Sequence, residues 1–307
     1  MPEIELSIII VSWNVKTLLE KCLQSIKKNN SVISSEIIVV DNASSDGSAE
    51  YITARFPDVM WIQNHENVGF PKANNIGIEK SSGKYIVLLN PDTLLIEDSF
   101  RKMIDVLEQN DHYGAVGCKL IDENGKIDFN CSRNFPTISN ILFEPYLAKF
   151  SNNWIKDITM KHWDHLSNRI VDVVSGACFM VSRSLLDKIG YLDENIFVYV
   201  DDDDLCYRIK ASGKDVYYLA DTAIIHYGMQ SVKQNYVKLR ADSIRSMRRF
   251  FTKHKSFIYG ASYELLAIID FIFKYFVFSA LSLFTSKRSK TAIKENFQIA
   301  FRLIARP

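Results

Sequence analysis

The chain has 307 residues, 47% hydrophobic and 24% charged, with a formal net charge of +1. This composition belongs to globular proteins and excludes disordered, collagen-like and disulfide-scaffold chains, while the length suits one large α/β domain with an appendage. The charge is unevenly spread: from Arg245 onward twelve Lys/Arg stand against three Asp/Glu, so an acidic body carries a basic tail suited to an anionic surface.

Leu6 to Val11 (LSIIIV) is short, β-branched and apolar on both faces, which predicts a buried parallel strand. No basic region precedes it and its apolar run is of strand length, so a signal peptide is not expected. Thr17 to Asn29 sets Leu18, Leu19, Cys22, Leu23 and Ile26 at helical spacing. Ile37 to Val40 predicts a second strand, ending directly in Asp41-Asn42-Ala43-Ser44-Ser45-Asp46-Gly47. A helix over Ser48 to Phe56, a strand over Met60 to Gln63 and a helix over Pro71 to Lys80, stopped near Gly83, follow. Tyr85 to Leu89 predicts a fourth strand that breaks at Asn90-Pro91-Asp92, and Phe100 to Gln109 another helix. Strands alternating with helices predict a mainly parallel central sheet covered on both faces. Ligands of such sheets gather beyond the carboxyl ends of strands, where Asp41, Asn67 to Asn75 and Asp92 fall.

Residues 121–170 are irregular and rich in Asn, Trp and Phe. Strand character resumes at Val171 to Val174 and Phe179 to Val181, around Ser175-Gly176-Ala177. An aromatic-aliphatic strand, Ile196 to Val200, then leads into four consecutive aspartates, Asp201 to Asp204. A helix to Gly213, a strand at Val216 to Leu219, the run Ala223-Ile224-Ile225-His226 and, from Tyr236, long helices complete the chain. The five cysteines are odd in number and lack metal-type spacing, which predicts reduced, packed thiols and a cytosolic compartment.

Adjacent carboxylates repel, so the aspartate run requires a raised pKa in one member or a nearby cation, and it is a first candidate for a catalytic base. The plainer reading is helix-start charge complementing the dipole, with Asp204 and Arg208 as an i,i+4 pair. Neither a G-x-G-x-x-G nor a G-x-x-x-x-G-K-[ST] motif occurs, so glycine-cradle binding of nucleotides is unsupported. A diphosphate can instead be held through a divalent metal with one or two carboxylates, and Asp92 is placed for that. His226 alone reads as a structural histidine; His162 and His165, three apart with no third ligand, read as loop or acceptor-side residues.

The ordered set is more specific than its members. It runs Ser12-Trp13-Asn14, Val40-Asp41 to Ser48, Asn67-Val68-Gly69-Phe70 with Asn74-Asn75, Leu89-Asn90-Pro91-Asp92, Ser175-Gly176-Ala177, the aspartate run, and His226-Tyr227-Gly228-Met229-Gln230-Ser231. In this order and spacing it resembles the inverting family 2 glycosyltransferases of GT-A fold, especially their rhamnosyltransferase-like branch, over about residues 5–232. The resemblance implies a GT-A sheet (Rossmann-like, mixed and mainly parallel) over residues 1–235, with a helical appendage over 236–307. It implies that Asp41 meets the nucleotide base, lined by Ser12 and Asn14, and that Asn67, Gly69, Asn75 and Asn90 belong to the donor side. Asp92 matches the metal aspartate of Asp-x-Asp, whose first position is here Asn90. His226 resembles a further metal or diphosphate contact, the metal being Mg²⁺ or Mn²⁺. Gly176 lies near the sugar and acceptor. Asp202 matches the base, Asp204 a supporting carboxylate, and Asp201 stands where the family has glutamate. A one-residue shift of register to Asp203 is chemically plausible. In an inverting transfer, Asp202 is expected to have a pKa raised by its acidic neighbours.

The partners this implies are a nucleoside-diphosphate-sugar and a lipid-linked or nascent glycan acceptor; no nucleic acid is expected. A processive synthase is disfavoured because Gln-x-x-Arg-Trp is absent, the last tryptophan being Trp163. A nucleotidyltransferase would want a basic, Gly-rich loop that Ile8 to Asn14 lacks, and a non-catalytic binder needs no base. From Phe257 to Phe284 the tail is strongly apolar, with Glu264, Asp270 and Lys274 on one predicted polar stripe. Flanking basic residues (Arg245, Arg248, Arg249, Lys253, Lys255; Lys287, Arg288, Lys290, Lys294) predict a segment lying on the cytoplasmic membrane surface. The alternatives are packing on its own domain or a homodimer contact.

Overall fold

A computed structural model describes residues 4–29, 33–143, 160, 163–228, 236–281 and 287–305. The chain divides into two compact units, the first comprising Met1–Pro136, Lys156–Glu194 and Asp201–Ser231, the second Thr137–Ile155, Asn195–Val200 and Val232–Pro307. His162 and Met229 to Ser231, singled out in the sequence, lie outside the described residues.

The first unit is built on a nine-stranded sheet. Its strands are β1 (Leu6–Ser12), β2 (Ser35–Asp41), β3 (Met60–Gln63), β4 (Tyr85–Leu89), β5 (Thr93–Leu95), β6 (Tyr113–Ile121), β8 (Arg169–Val171), β10 (Cys178–Ser182) and β11 (Asp215–His226), while β7 (Ser132–Arg133) and β9 (Val173–Val174) form a separate antiparallel pair. The order is β3-β2-β1-β4-β10-β6-β11-β5, with β8 also on β11. The first four strands pair in parallel; β10 enters antiparallel between β4 and β6, and β5 and β8 run antiparallel to β11. The β-branched runs of β1, β2 and β4 explain the parallel half. Ile8, Ile9, Ile10, Ile38, Val39, Ile86 and Val87 are all fully buried, as a sheet covered on both faces requires.

Helices α1 (Lys16–Asn29), α2 (Ser48–Arg55), α3 (Phe70–Lys80) and α4 (Ser99–Gln109) follow the first strands, and α5 (Arg183–Ile189) and α6 (Asp201–Ala211) come later. The start of α3 uses Gly69 at φ 89 with Pro71 in the first turn, and Asp98 caps α4 by accepting from Arg101 N at 3.2 Å. All five cysteines are free and buried, as predicted.

Three expectations change. Ile196 to Val200 is not a strand: Tyr199 and Val200 hold φ of 56° and 67°, and the apolar pattern serves to bury Ile196 and Val200 rather than to pair. The two pieces predicted at 216–219 and 223–226 are one strand, β11, with a register shift between Leu219 and Ala223. Strand β6 was not foreseen because Gly114 and Gly117 interrupt it. Gly117 is needed for contact: a Cβ there would stand 2.5 Å from Val174 Cβ.

The second unit contains α7 (Tyr236–His254), α8 (Phe257–Leu281) and α9 (Lys287–Ala305). Phe250, Phe251, Tyr263, Ala267, Phe271, Ile299 and Leu303 are buried among these three helices. The predicted polar stripe of α8 points inward: Glu264 is buried and its Oε2 accepts from Arg248 Nη1 of α7 at 2.7 Å. No described helix is long and apolar enough to cross a membrane.

Candidate active site

Three clusters lie at the carboxyl edge of the first unit's sheet. In the first, β1 and β2 run in register with Ser12 opposite Asp41. Asp41 is buried; its Oδ2 accepts from Ser44 N at 2.8 Å and Gln63 Nε2 at 2.7 Å, and its Oδ1 from Ser44 Oγ at 2.5 Å. Ser12 Oγ is buried with no protein partner, a polar atom that a ligand can satisfy. Asn14, in left-handed conformation at φ 53, ties two loops together: its N donates to Ser44 Oγ and its Oδ1 accepts from Ser45 N, both at 2.8 Å. Asn67 Oδ1 accepts from Gly69 N at 3.1 Å and shapes the turn into α3. Asn75 is fully engaged inside the protein. Its Nδ2 donates to Leu192 O at 3.0 Å and Glu194 Oε1 at 3.1 Å, and its Oδ1 accepts from Leu192 N at 3.0 Å. It braces α3 against the segment after α5.

The second cluster forms because β5 lies antiparallel to the end of β11, pairing Thr93 with His226, while Tyr227 N donates to Asp92 O at 3.0 Å. His226 Nε2 stands 3.4 Å from Asp92 Oδ1 and 3.4 Å from Asn90 Nδ2, and His226 Nδ1 is buried without a partner. Among the described residues no group of three or more His, Cys, Asp or Glu is suited to hold a metal ion. A carboxylate and an imidazole nevertheless fit a Mg²⁺- or Mn²⁺-type site completed by diphosphate oxygens and water.

The third cluster is the aspartate run at the start of α6, where all four acids occupy the first turn and Arg208 and Lys210 the last. Arg133 Nη2, from β7, donates to Asp202 Oδ1 at 2.6 Å and to Asp203 Oδ2 at 2.7 Å. Asp202 Oδ2 accepts from Gly176 N at 3.0 Å, and Asp202 Oδ1 also from Asp203 N at 3.0 Å. Asp204 is wholly buried and accepts from Arg208 Nε at 2.9 Å; the same guanidinium donates to the carbonyls of Ile189, Gly190 and Tyr191. That pair is a buried staple, not a surface bridge.

The electrostatics differ from the expectation for Asp202. Burial pushes its carboxyl up, but the Arg133 guanidinium and the two backbone N–H groups outweigh this and hold it below the usual carboxylate range. The raised values fall on its neighbours. Burial, then the Asp202 charge, push Asp201 well up, and burial, partly offset by Arg133, leaves Asp203 at about 6. The required cation is Arg133. Neither Arg133 nor Gln63 was found from the sequence, where Arg133 stands between the polar Ser132 and Asn134 in an irregular stretch.

Backbone contacts join the last two clusters. Asn90, beside His226, donates its N–H to Ala177 O at 3.0 Å, and the preceding Gly176 donates to Asp202. A Cβ at Gly176 would meet Asp202 Cβ at 3.7 Å, an ordinary contact.

Comparison with known proteins bears on the family and the fold. The chain is 30% identical over 217 residues to the low-salt glycan biosynthesis hexosyltransferase Agl10 of Haloferax volcanii, a match covering 67% of this chain and 62% of that one. It is 25% identical over 208 residues to the N-acetylglucosaminyl-diphospho-decaprenol L-rhamnosyltransferase of Mycobacterium tuberculosis, covering 64% of this chain and 67% of that one. Among solved structures, the mannosyltransferase PcManGT of Pyrobaculum calidifontis, in complex with GDP-Man and Mn²⁺, superposes with a TM-score of 0.59 at 15% identity, covering 98% of this chain and 87% of that one. The fold is thus GT-A. The model of the family described as glycosyl transferase family 2 matches residues 7–190, and the chain belongs to that family as a sugar-transferring enzyme.

Proposed function

We propose that the chain is a metal-dependent, inverting glycosyltransferase. It moves a single sugar, rhamnose-like or another hexose, from a nucleoside-diphosphate-sugar to a hydroxyl of a lipid-linked or nascent surface glycan at the cytoplasmic membrane surface. The observation that carries this reading is the connected path from His226 and Asp92, through Asn90, Ala177 and Gly176, to Asp202. It supports reading a diphosphate site and a carboxylate base at one sheet edge.

In this reading Asp202 accepts the proton of the acceptor hydroxyl as that oxygen bonds to the anomeric carbon. The bond from that carbon to the diphosphate oxygen breaks on the opposite side, its electron pair leaving with the nucleoside diphosphate, so one displacement inverts the centre. Burial among three other acids would neutralise a lone carboxyl; Arg133 keeps Asp202 ionised and hence able to accept a proton. Gly176 N–H fixes which oxygen lone pairs remain for the acceptor. Asp92 and His226 would hold a divalent cation, which when bound neutralises charge on the departing diphosphate. Ser12, Asp41 and Gln63 form the pocket for the nucleotide base.

Thermal stabilisation by UDP, dTDP and GDP, each with Mn²⁺ or Mg²⁺, tests the donor site. One nucleotide raising the melting temperature only with metal is the expected result; no response to any of them would sink the reading.

A further inference from the structure

Helix α8 is patterned inside out. Its inward side carries Tyr263, Glu264, Ala267 and Phe271, with Glu264 paired to Arg248 at 2.7 Å, and Asp270 is held by Lys274 at 2.7 Å. Large apolar side chains point away from the bundle. Phe273 and Phe276 are 58% and 64% exposed, and Ile258, Leu265, Ile269 and Ile272 share that face. The face continues onto α9 through rings: Tyr275 lies 5.3 Å from Phe276 and 5.6 Å from Phe297, and Phe297 stacks on Phe301 at 6.3 Å, both α9 rings being more than half exposed. A water-facing helix has the reverse arrangement, and a contiguous apolar surface of this kind marks an interaction site.

What it meets follows from the adjoining charge. Beside Phe297 and Phe301 runs a groove of about 670 Å³, lined also by Tyr236, Lys294 and Arg302, with Glu295 as its one acid. Aromatic rings in a groove that Lys294 and Arg302 also line match the boundary of an anionic bilayer, where acyl chains give way to phosphate headgroups. The basic surplus of nine beyond residue 244 has the same sign.

We propose that the outward faces of α8 and α9 seat the second unit on an anionic phospholipid bilayer, with headgroup phosphates entering the groove between Lys294 and Arg302. This deepens the membrane-surface part of the proposed function, on which it rests, and fixes both the face and the lipid charge. A protein dimer would bury the apolar face equally well but has no use for the cationic groove beside it.

The test is flotation of the full chain with phosphatidylcholine vesicles, with or without phosphatidylglycerol. The expected result is flotation with the anionic vesicles and little with the neutral ones. Phe273→Ser with Phe276→Ser should abolish it, and Lys294→Gln with Arg302→Gln should weaken it roughly tenfold or more. Far-UV circular dichroism confirms that each variant is folded. Inorganic phosphate added at constant ionic strength should not displace the protein; displacement would show a free-phosphate site and overturn the proposal. Equal flotation of wild type and both variants would overturn it too. So would absence of flotation together with a dimer, by light scattering, that the Phe273/Phe276 variant converts to monomer. Nucleotide-dependent stabilisation in the same samples reads the donor site separately: its loss in wild type with flotation intact would sink the transferase reading and leave this one standing.

Discussion

Arg133 Nη2 reaches Asp202 Oδ1 at 2.6 Å across a sequence separation of 69 residues, and the same nitrogen holds Asp203 Oδ2 at 2.7 Å. One guanidinium therefore serves two carboxylates on consecutive positions, and it is the main influence holding Asp202 below the usual carboxylate range.

Arg133→Met should lower kcat/KM by about 10²-fold or more and move the acid limb of its pH profile upward, since Asp202 loses the charge that depresses its pKa. Arg133→Lys should restore much of the profile. The Met variant leaves two mostly buried carboxylates without their cation, so a loss of about 3–5 kcal/mol in stability is also expected from denaturant unfolding. A profile unmoved in a folded Met variant would contradict the role given to Arg133.

Asp202→Asn should reduce transfer by about 10²–10⁴-fold while nucleotide-dependent stabilisation persists, and Asp203→Asn should cost far less. The comparison is a steady-state assay with both variants side by side. The reverse ranking would assign the base to Asp203.

Asp203 also predicts a stability change with pH. Its folded pKa, about 6, lies above the ordinary 3.8, so the folded state binds the extra proton between these values. Its contribution is most favourable below the unfolded value and is lost as pH rises through about 6, by on the order of 3 kcal/mol at full effect. Asp203→Asn cannot ionise and should flatten this part of the melting-temperature curve. Curves that stay parallel from about pH 4 to about pH 6 would show that Asp203 does not carry it.

Asp92→Asn and His226→Ala should each remove the metal dependence of nucleotide stabilisation, as EDTA should in the wild type, with little change in the melting temperature of the nucleotide-free protein. Isothermal titration of Mn²⁺ with nucleoside diphosphate would check this. Undiminished metal dependence in both variants would place the cation elsewhere.

Asp204→Ala should act on stability, by about 3–5 kcal/mol, because it leaves the Arg208 guanidinium and the carbonyls it gathers without their buried counter-charge. A folded variant of normal stability and strongly reduced kcat would return Asp204 to a supporting role in catalysis.

The parallel half of the sheet and the residues at its edge were legible because each strand is a short β-branched run ending in a polar turn, as at Val40-Asp41 and Leu89-Asn90. Of the later strands β10 was legible too, at Phe179 to Val181, but β5 and β6 were not. β5 is three residues long and β6 carries two glycines, so neither has a period to read. The bend at Tyr199 and Val200 runs against the β-branched, aromatic character of its own residues, a local preference overruled by burial. Arg133 was invisible for a different reason: an ion pair between distant segments leaves no pattern in either. The direction of the Asp202 shift followed from that omission, since acids alone push a carboxyl up.

The contact between Gly117 and Val174 bears on more than β6. Val174 is followed by Ser175 and then Gly176, whose N–H orients Asp202, while β9 pairs with β7, which carries Arg133. Any side chain at position 117 must push β9 aside, moving together the strand that leads to the orienting amide and the partner of the strand that supplies the cation. A residue with no side chain thus sets the alignment of the carboxylate proposed as proton acceptor, and any larger residue at this position would disturb it.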